Sequence, residues 1–285
     1  MSWFSEPFGS ELVRNGLYAG LLAVIATSVI GTWVVVRGLS FMGDALAHGV
    51  LPGIALAFLW GFDVTIGALV SAAAMVAGIN VVNRRARLTE DTGIGLLFVG
   101  MLALGVIIIS RESTYSGDLT SFLFGDLLGV RSDQLRLLAV AAVVTVVGVV
   151  VSYRPLLALS FNRDKAEALG LRPGLAHAVM LGLLAFAIVS SFRAVGTLLV
   201  FGLLVAPPAT ASLLVRRLPL MMVTAVGLGM LSVYVGLVLS YHLDTAGAAT
   251  VAVVAVAGFF AVLTGREVLL RARGVARPAR GMSPM

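Results

Sequence analysis

The 285-residue chain is 59% hydrophobic and 12% charged, with a formal net charge of +6. A soluble domain carries about 25% charged residues, so a wholly water-exposed surface is excluded. The basic residues sit in short clusters between long apolar runs, which is the pattern of membrane flanks and not of a nucleic-acid footprint. There is no cysteine, which excludes disulfides and thiolate metal sites.

The N-terminal stretch MSWFSEPFGSELVR lacks the basic start of a cleavable signal peptide, so residues 1–14 read as an extracytoplasmic segment and insertion falls to the spans themselves. Apolar runs of the roughly 20 residues that cross a bilayer lie at 15–36, 45–62, 64–83, 92–110, 137–153, 173–192, 194–215, 218–243 and 245–265. The expectation is an all-α, polytopic membrane bundle of eight or nine transmembrane helices, a single transmembrane domain over 15–265. Eight applies if one pair of runs forms a broken helix. The apolar segment 119–130 (LTSFLFGDLLGV) is too short to cross and carries Asp126, so it reads as re-entrant or interfacial. With the N-terminus outside and nine crossings, only Arg14, Arg111, Arg131, Arg136 and Arg193 of the 20 Lys and Arg fall outside, and that asymmetry fixes the orientation. Residues 266–285 read as a basic cytoplasmic tail, and the Gly and Ala in the spans as a device for close helix packing.

The first informative segment is Phe41-Met-Gly-Asp-Ala-Leu-Ala-His-Gly-Val-Leu-Pro-Gly53. Asp44 and His48 are four apart, on one face of a helix, and ionisable groups at membrane depth are costly unless they face a polar interior or a pathway. A carboxylate with an imidazole suits a borderline divalent cation. Two donors do not complete a site, and a second copy would bring four. The competing reading is an Asp N-cap with a helix-surface His. Pro52, with Gly49 and Gly53 near it, should weaken helical bonding there, and discontinuous helices commonly build transporter sites.

Next, Ser160-Phe-Asn-Arg-Asp-Lys-Ala-Glu-Ala-Leu-Gly-Leu-Arg172 is a short charged stretch on the predicted inner side, where Gly170 can end a helix; otherwise it is a solvated connector. His177, inside a span near its inner end, can hydrogen-bond a neighbouring helix. Arg193 marks a turn between two runs. Pro207 and Pro208, in LLVAPPATA, should kink or break their helix, as a gate or a simple bend. His242 and Asp244 read as outer loop polarity. The single lysine, Lys165, follows no glycine loop. The chain has no P-loop, no H-E-x-x-H and no G-x-S-x-G, so it is not expected to be an enzyme or to hydrolyse ATP.

At these residues the sequence resembles a known family. GDALAHGVLPGIALAFLWG, FNRDKAEALGL, RAVGTLLVFGLLVAPPATA and LSYHLDTAGAATVAVV are similar, in order, to four signatures of the membrane-spanning permease of ATP-binding-cassette importers for manganese, zinc and related divalent metals. The resemblance implies a vitamin-importer-like helical fold in the bacterial plasma (inner) membrane. It implies a second permease subunit, identical or paralogous, a cytoplasmic ATP-binding subunit that uses the ATP, and an extracytoplasmic metal-binding protein. No covalently bound cofactor is implied. The cargo is a divalent metal ion, manganese first and zinc or iron next. Asp44 and His48 match the metal-pathway motif. Segment 160–172 matches the coupling segment, with Asp164, Ala166, Glu167 and Gly170 contacting or shaping the ATPase contact. Pro52, Pro207 and Pro208 fall to gate or kink roles. The chain departs from the family pattern in its longer, more basic tail and in pairing Pro207 with Pro208. The alternative is a stand-alone, ion-coupled secondary transporter, which would also use intramembrane Asp and His.

Overall fold

The computed structural model describes residues 3, 6–85, 89–110, 127, 129–161, 167 and 170–272, and every regular element among them is helical. A 3₁₀ turn (Glu6–Gly9) precedes α1 (Glu11–Val36), α2 (Ser40–Gly49), α3 (Leu51–Trp60), α4 (Val64–Arg85), α5 (Glu90–Ile109) and α6 (Ser132–Val151). Then come α7 (Tyr153–Phe161), α8 (Pro173–Val195), α9 (Thr197–Leu214), α10 (Leu218–Leu243) and α11 (Gly247–Ala272). Among the described residues 9 helical segments are long and apolar enough to cross a membrane, α2 and α3 together making one of them. The broken pair therefore occurs within a span and does not reduce the count.

Boundary differences have local causes. Helix α1 starts at Glu11, four residues before the apolar run, because extended Ser10 breaks the chain direction and Glu11 suits the positive helix N-terminus. Helix α11 continues past residue 265 to Ala272, with Glu267 and Arg271 at the spacing that supports an exposed helix end; 273–285 lie outside the described residues. Arg193 does not mark the turn it was expected to mark. It lies in the last turn of α8, and the chain reverses at Gly196, whose φ of 78° favours a residue without Cβ.

Helix α1 is the central strut, packed against α6, α8, α9 and α10. About two-thirds of its span is buried (67%), against 17% for the span of α5. A segment that apolar with so little of it covered presents its side chains to lipid or to another subunit. The outer layer is α4, α5, α6, α10 and α11; the inner one is α1, α2–α3, α8 and α9. Contacts sort the helix ends as the charge asymmetry does. Trp33 of α1 meets Tyr153 edge-on at 5.6 Å on the side predicted to be inner. On the other side Trp3 stacks on His242 at 4.1 Å, and the Trp3 carbonyl lies 2.9 Å from the His242 Nε2. Of segment 119–130, Leu127 and Val130 are buried, and the Leu127 carbonyl abuts Gly16 of α1. Residues 119–126 and 128, Asp126 among them, lie outside the described residues.

Candidate functional site

Helix α2 is sealed on one side and open on the other. Met42, Gly43, Ala45, Leu46, Ala47 and Gly49 are buried, while Asp44 and His48 are half-buried and Phe41 is exposed. These three share one face, at the i, i+3 and i+7 positions of a helix. The helix starts at Ser40, with Leu39 in the capping position, so Asp44 lies a full turn inside and is not an N-cap. Across the open face stands Phe98 of α5, 5.5 Å from the Phe41 ring and 5.7 Å from the His48 ring. Among the described residues neither Asp44 nor His48 is engaged in a hydrogen bond or ion pair, and no cluster of three or more His, Cys, Asp or Glu assembles. The carboxylate and the imidazole thus share the half-buried face of α2.

The break that follows is built by Pro52. Helix α3 begins at Leu51 with the proline in its first turn, where a missing N–H costs nothing. The proline leaves α2 to end at Gly49, and the Gly49 carbonyl accepts a hydrogen bond from the Ser71 hydroxyl of α4 at 2.8 Å. Gly53 and Gly67 stand backbone to backbone; a Cβ on either would overlap the other's carbonyl. The junction is therefore held by α4 and not by helical continuity.

Pro207 and Pro208 behave otherwise. Both are buried within α9, which is one helical element from Thr197 to Leu214. Each proline removes the bond to a carbonyl four residues back, freeing those of Leu203 and Leu204. The Ser28 hydroxyl of α1 donates to the Leu203 carbonyl at 3.3 Å, and the Leu204 carbonyl lies in the space that a side chain at Gly31 would fill. On the other flank the Leu204 side chain fills the gap left by Gly43 of α2. The proline segment is wedged between α1 and the sealed face of α2.

Of the coupling-segment residues, Glu167 is exposed and Gly170 turns at φ 72°, its N–H donating to the Glu167 carbonyl at 2.9 Å. Asp164 and Ala166 lie outside the described residues. The segment leaves α7, which packs on α8 and α1, with Leu156 fully buried. His177 does reach a neighbouring helix: its Nδ1 lies 2.9 Å from an Arg37 guanidinium nitrogen, so the neutral ring accepts there. Arg37 also reaches Met180. Phe98, Ser28, Gly31, Ser71 and Arg37 escaped the sequence reading. Only Arg37 left a signal, its predicted position on the same membrane side as His177.

Comparison with known proteins places the chain in a family. A family model described as "ABC 3 transport family" matches residues 9–266. The manganese transport system membrane protein MntC of Listeria monocytogenes is 37% identical over 250 residues, 88% of this chain and 89% of that protein. The chelated iron transport system membrane protein YfeD of Yersinia pestis is 33% identical, over 86% of this chain and 82% of its own length. Among solved structures, PsaBC from Streptococcus pneumoniae in complex with Fab superposes with a TM-score of 0.82 at 27% identity, covering 95% of this chain and 99% of the other.

Proposed function

The chain belongs to the ABC 3 transport family, and from that premise we infer that it is the multi-pass inner-membrane permease of an ATP-driven importer carrying a divalent metal ion into the cytoplasm. Manganese is the first choice of cargo, with iron or zinc next: a carboxylate and an imidazole without thiolate accept all three, and similar proteins carry manganese and iron in their names. The observation that carries the site assignment is the half-open face of α2, where Asp44 and His48 remain available while the rest of the helix is packed.

In this reading the permease works as a pair, identical or paralogous, and the facing copies bring the donors to four. A metal-binding protein outside delivers the ion. Separate cytoplasmic subunits hydrolyse ATP, since this chain has no glycine loop and lysine to cradle phosphates. Their closure reaches the spans through 160–172, where Asp164, Ala166, Glu167 and Gly170 form or shape the contact, and passes along α7 to α1 and α8. Pro52 sets the end of the short metal-facing helix, and Pro207 and Pro208 seat the strut behind it. A route must bind its ion weakly enough to release it, and two donors per chain fit that demand.

Reconstitution tests the assignment. Liposomes holding this chain, a co-expressed ATPase subunit and the binding protein should take up manganese only with ATP, and Asp44→Ala should abolish uptake. Full uptake by this chain alone, driven by an ion gradient, would favour the stand-alone transporter.

A further inference from the structure

On the flank away from Asp44 and His48, α1, α6 and α10 border an open cavity of about 610 Å³. Its floor is Val29, the one residue of α1 between Ala26 and Val34 that is not buried. Val146 and Val150 of α6 form one wall and Met222 and Val226 of α10 the other. Arg154, at the start of α7, lines the same cavity and is exposed. Arg216 and Arg217, also exposed, immediately precede α10, and the stretches 152–161 and 215–222 contain no acidic residue. An apolar slot with Arg154 at its end, and Arg216 and Arg217 at the start of the adjoining α10, suits an amphiphile with an apolar tail and an anionic head.

The membrane supplies that molecule. The volume lies within the roughly 300–1,000 Å³ of ligand pockets. The arginine end is on the side that the basic clustering assigns to the cytoplasm, and basic pockets between spans on that side bind anionic lipid head groups. A second copy of the chain is the poorer occupant. The open face of α2 looks toward α5, and among the described residues α5 packs chiefly on α2, α3 and α4. The cavity therefore lies across α1 from the face that needs a partner. We propose that this cavity is an anionic phospholipid site, with one acyl chain lying on Val29 between α6 and α10 and the phosphate held by Arg154. Val29 adjoins Ser28, so the lipid would press on the same turn of α1 that receives the Leu203 carbonyl.

Native mass spectrometry of the delipidated chain, offered phosphatidylglycerol and phosphatidylcholine in equal amounts, tests the proposal. The expected result is at least about tenfold more phosphatidylglycerol retained, a factor worth ~1.4 kcal/mol. Arg154→Gln should reduce retention to the phosphatidylcholine level, and Val226→Trp, which fills the cavity without changing charge, should remove it. If Val226→Trp fails to fold, Val223→Trp at the exposed rim of the same cavity carries the test. Equal retention of the two lipids, or undiminished phosphatidylglycerol in Arg154→Gln or in the filled variant, overturns the site. So does disulfide formation between two copies of Val223→Cys, which would make the cavity a protein interface; the absence of native cysteine makes that readout clean.

Discussion

In the span from Ser40 to Trp60 the proline falls in the first turn of a new helix and the chain divides in two, whereas in α9 two prolines sit mid-helix and the helix continues. The residue type is the same, and the neighbours differ. At Pro52 the helix α4 comes close through Gly67 and takes the Gly49 carbonyl with Ser71, which holds a junction in place. At Pro207 and Pro208 the helix α1 comes close through Gly31 and takes the Leu203 carbonyl with Ser28, which holds a continuous rod in place. In both spans a small residue admits the neighbouring backbone and a hydroxyl caps a carbonyl near the proline. The divided span carries the ionisable pair on a short, half-open helix. The continuous one, with its buried prolines, backs the sealed side of that helix. We propose metal handling for the first and structural support for the second, and the contrast is open to direct attack.

Asp44→Ala should have the largest effect and should separate the roles most sharply. Uptake should fall by more than the ~10–100-fold that outer-shell changes cost at metal sites, while membrane insertion and thermal unfolding in detergent stay at the level of the unaltered chain. Gly31→Val should do the opposite, because its side chain would overlap the Leu204 carbonyl. Overpacking of this kind costs about 1–3 kcal/mol, read as a lowered Tm, with uptake per folded molecule less affected than in Asp44→Ala. Ser28→Ala leaves the Leu203 carbonyl without its donor and should cost about 0.6 kcal/mol, up to ~1.7, the span measured for hydrogen bonds between membrane helices; a Tm series with and without this change gives the value. Gly100→Ala on α5 meets nothing within contact distance, so it should leave the isolated chain unchanged or stabilise it by up to ~1 kcal/mol. A large loss from Gly100→Ala in the assembled transporter alone would sharpen the contrast by placing a partner on α5.

The span pattern was legible because it is a bulk property. Runs of apolar residues and an uneven distribution of arginine follow from the free energy of membrane insertion, and no tertiary contact is needed to read them. The pairing of Asp44 with His48 was legible from helical periodicity alone. What spacing could not tell was whether Asp44 capped a helix, since that depends on α2 beginning at Ser40, before the apolar run. The different outcomes at Pro52 and Pro207 were not legible either, because they depend on Ser71, Ser28, Gly67 and Gly31, which are distant in sequence and are small residues among many. Phe98 escaped for the same reason: nothing in its own segment distinguishes it from the other apolar residues of α5. Arg193 misled because a charge between two apolar runs reads as a turn, while the chain reverses three residues later at Gly196.

The central claim is that the Asp44 and His48 face of α2 opens onto water within the assembled permease. Because the chain has no cysteine, single cysteines at positions 44, 48 and 46 can be compared in membranes with a membrane-impermeant maleimide. Asp44→Cys and His48→Cys should label readily, and Leu46→Cys on the sealed face should not. Equal labelling at all three positions, or labelling confined to position 46, would contradict the account.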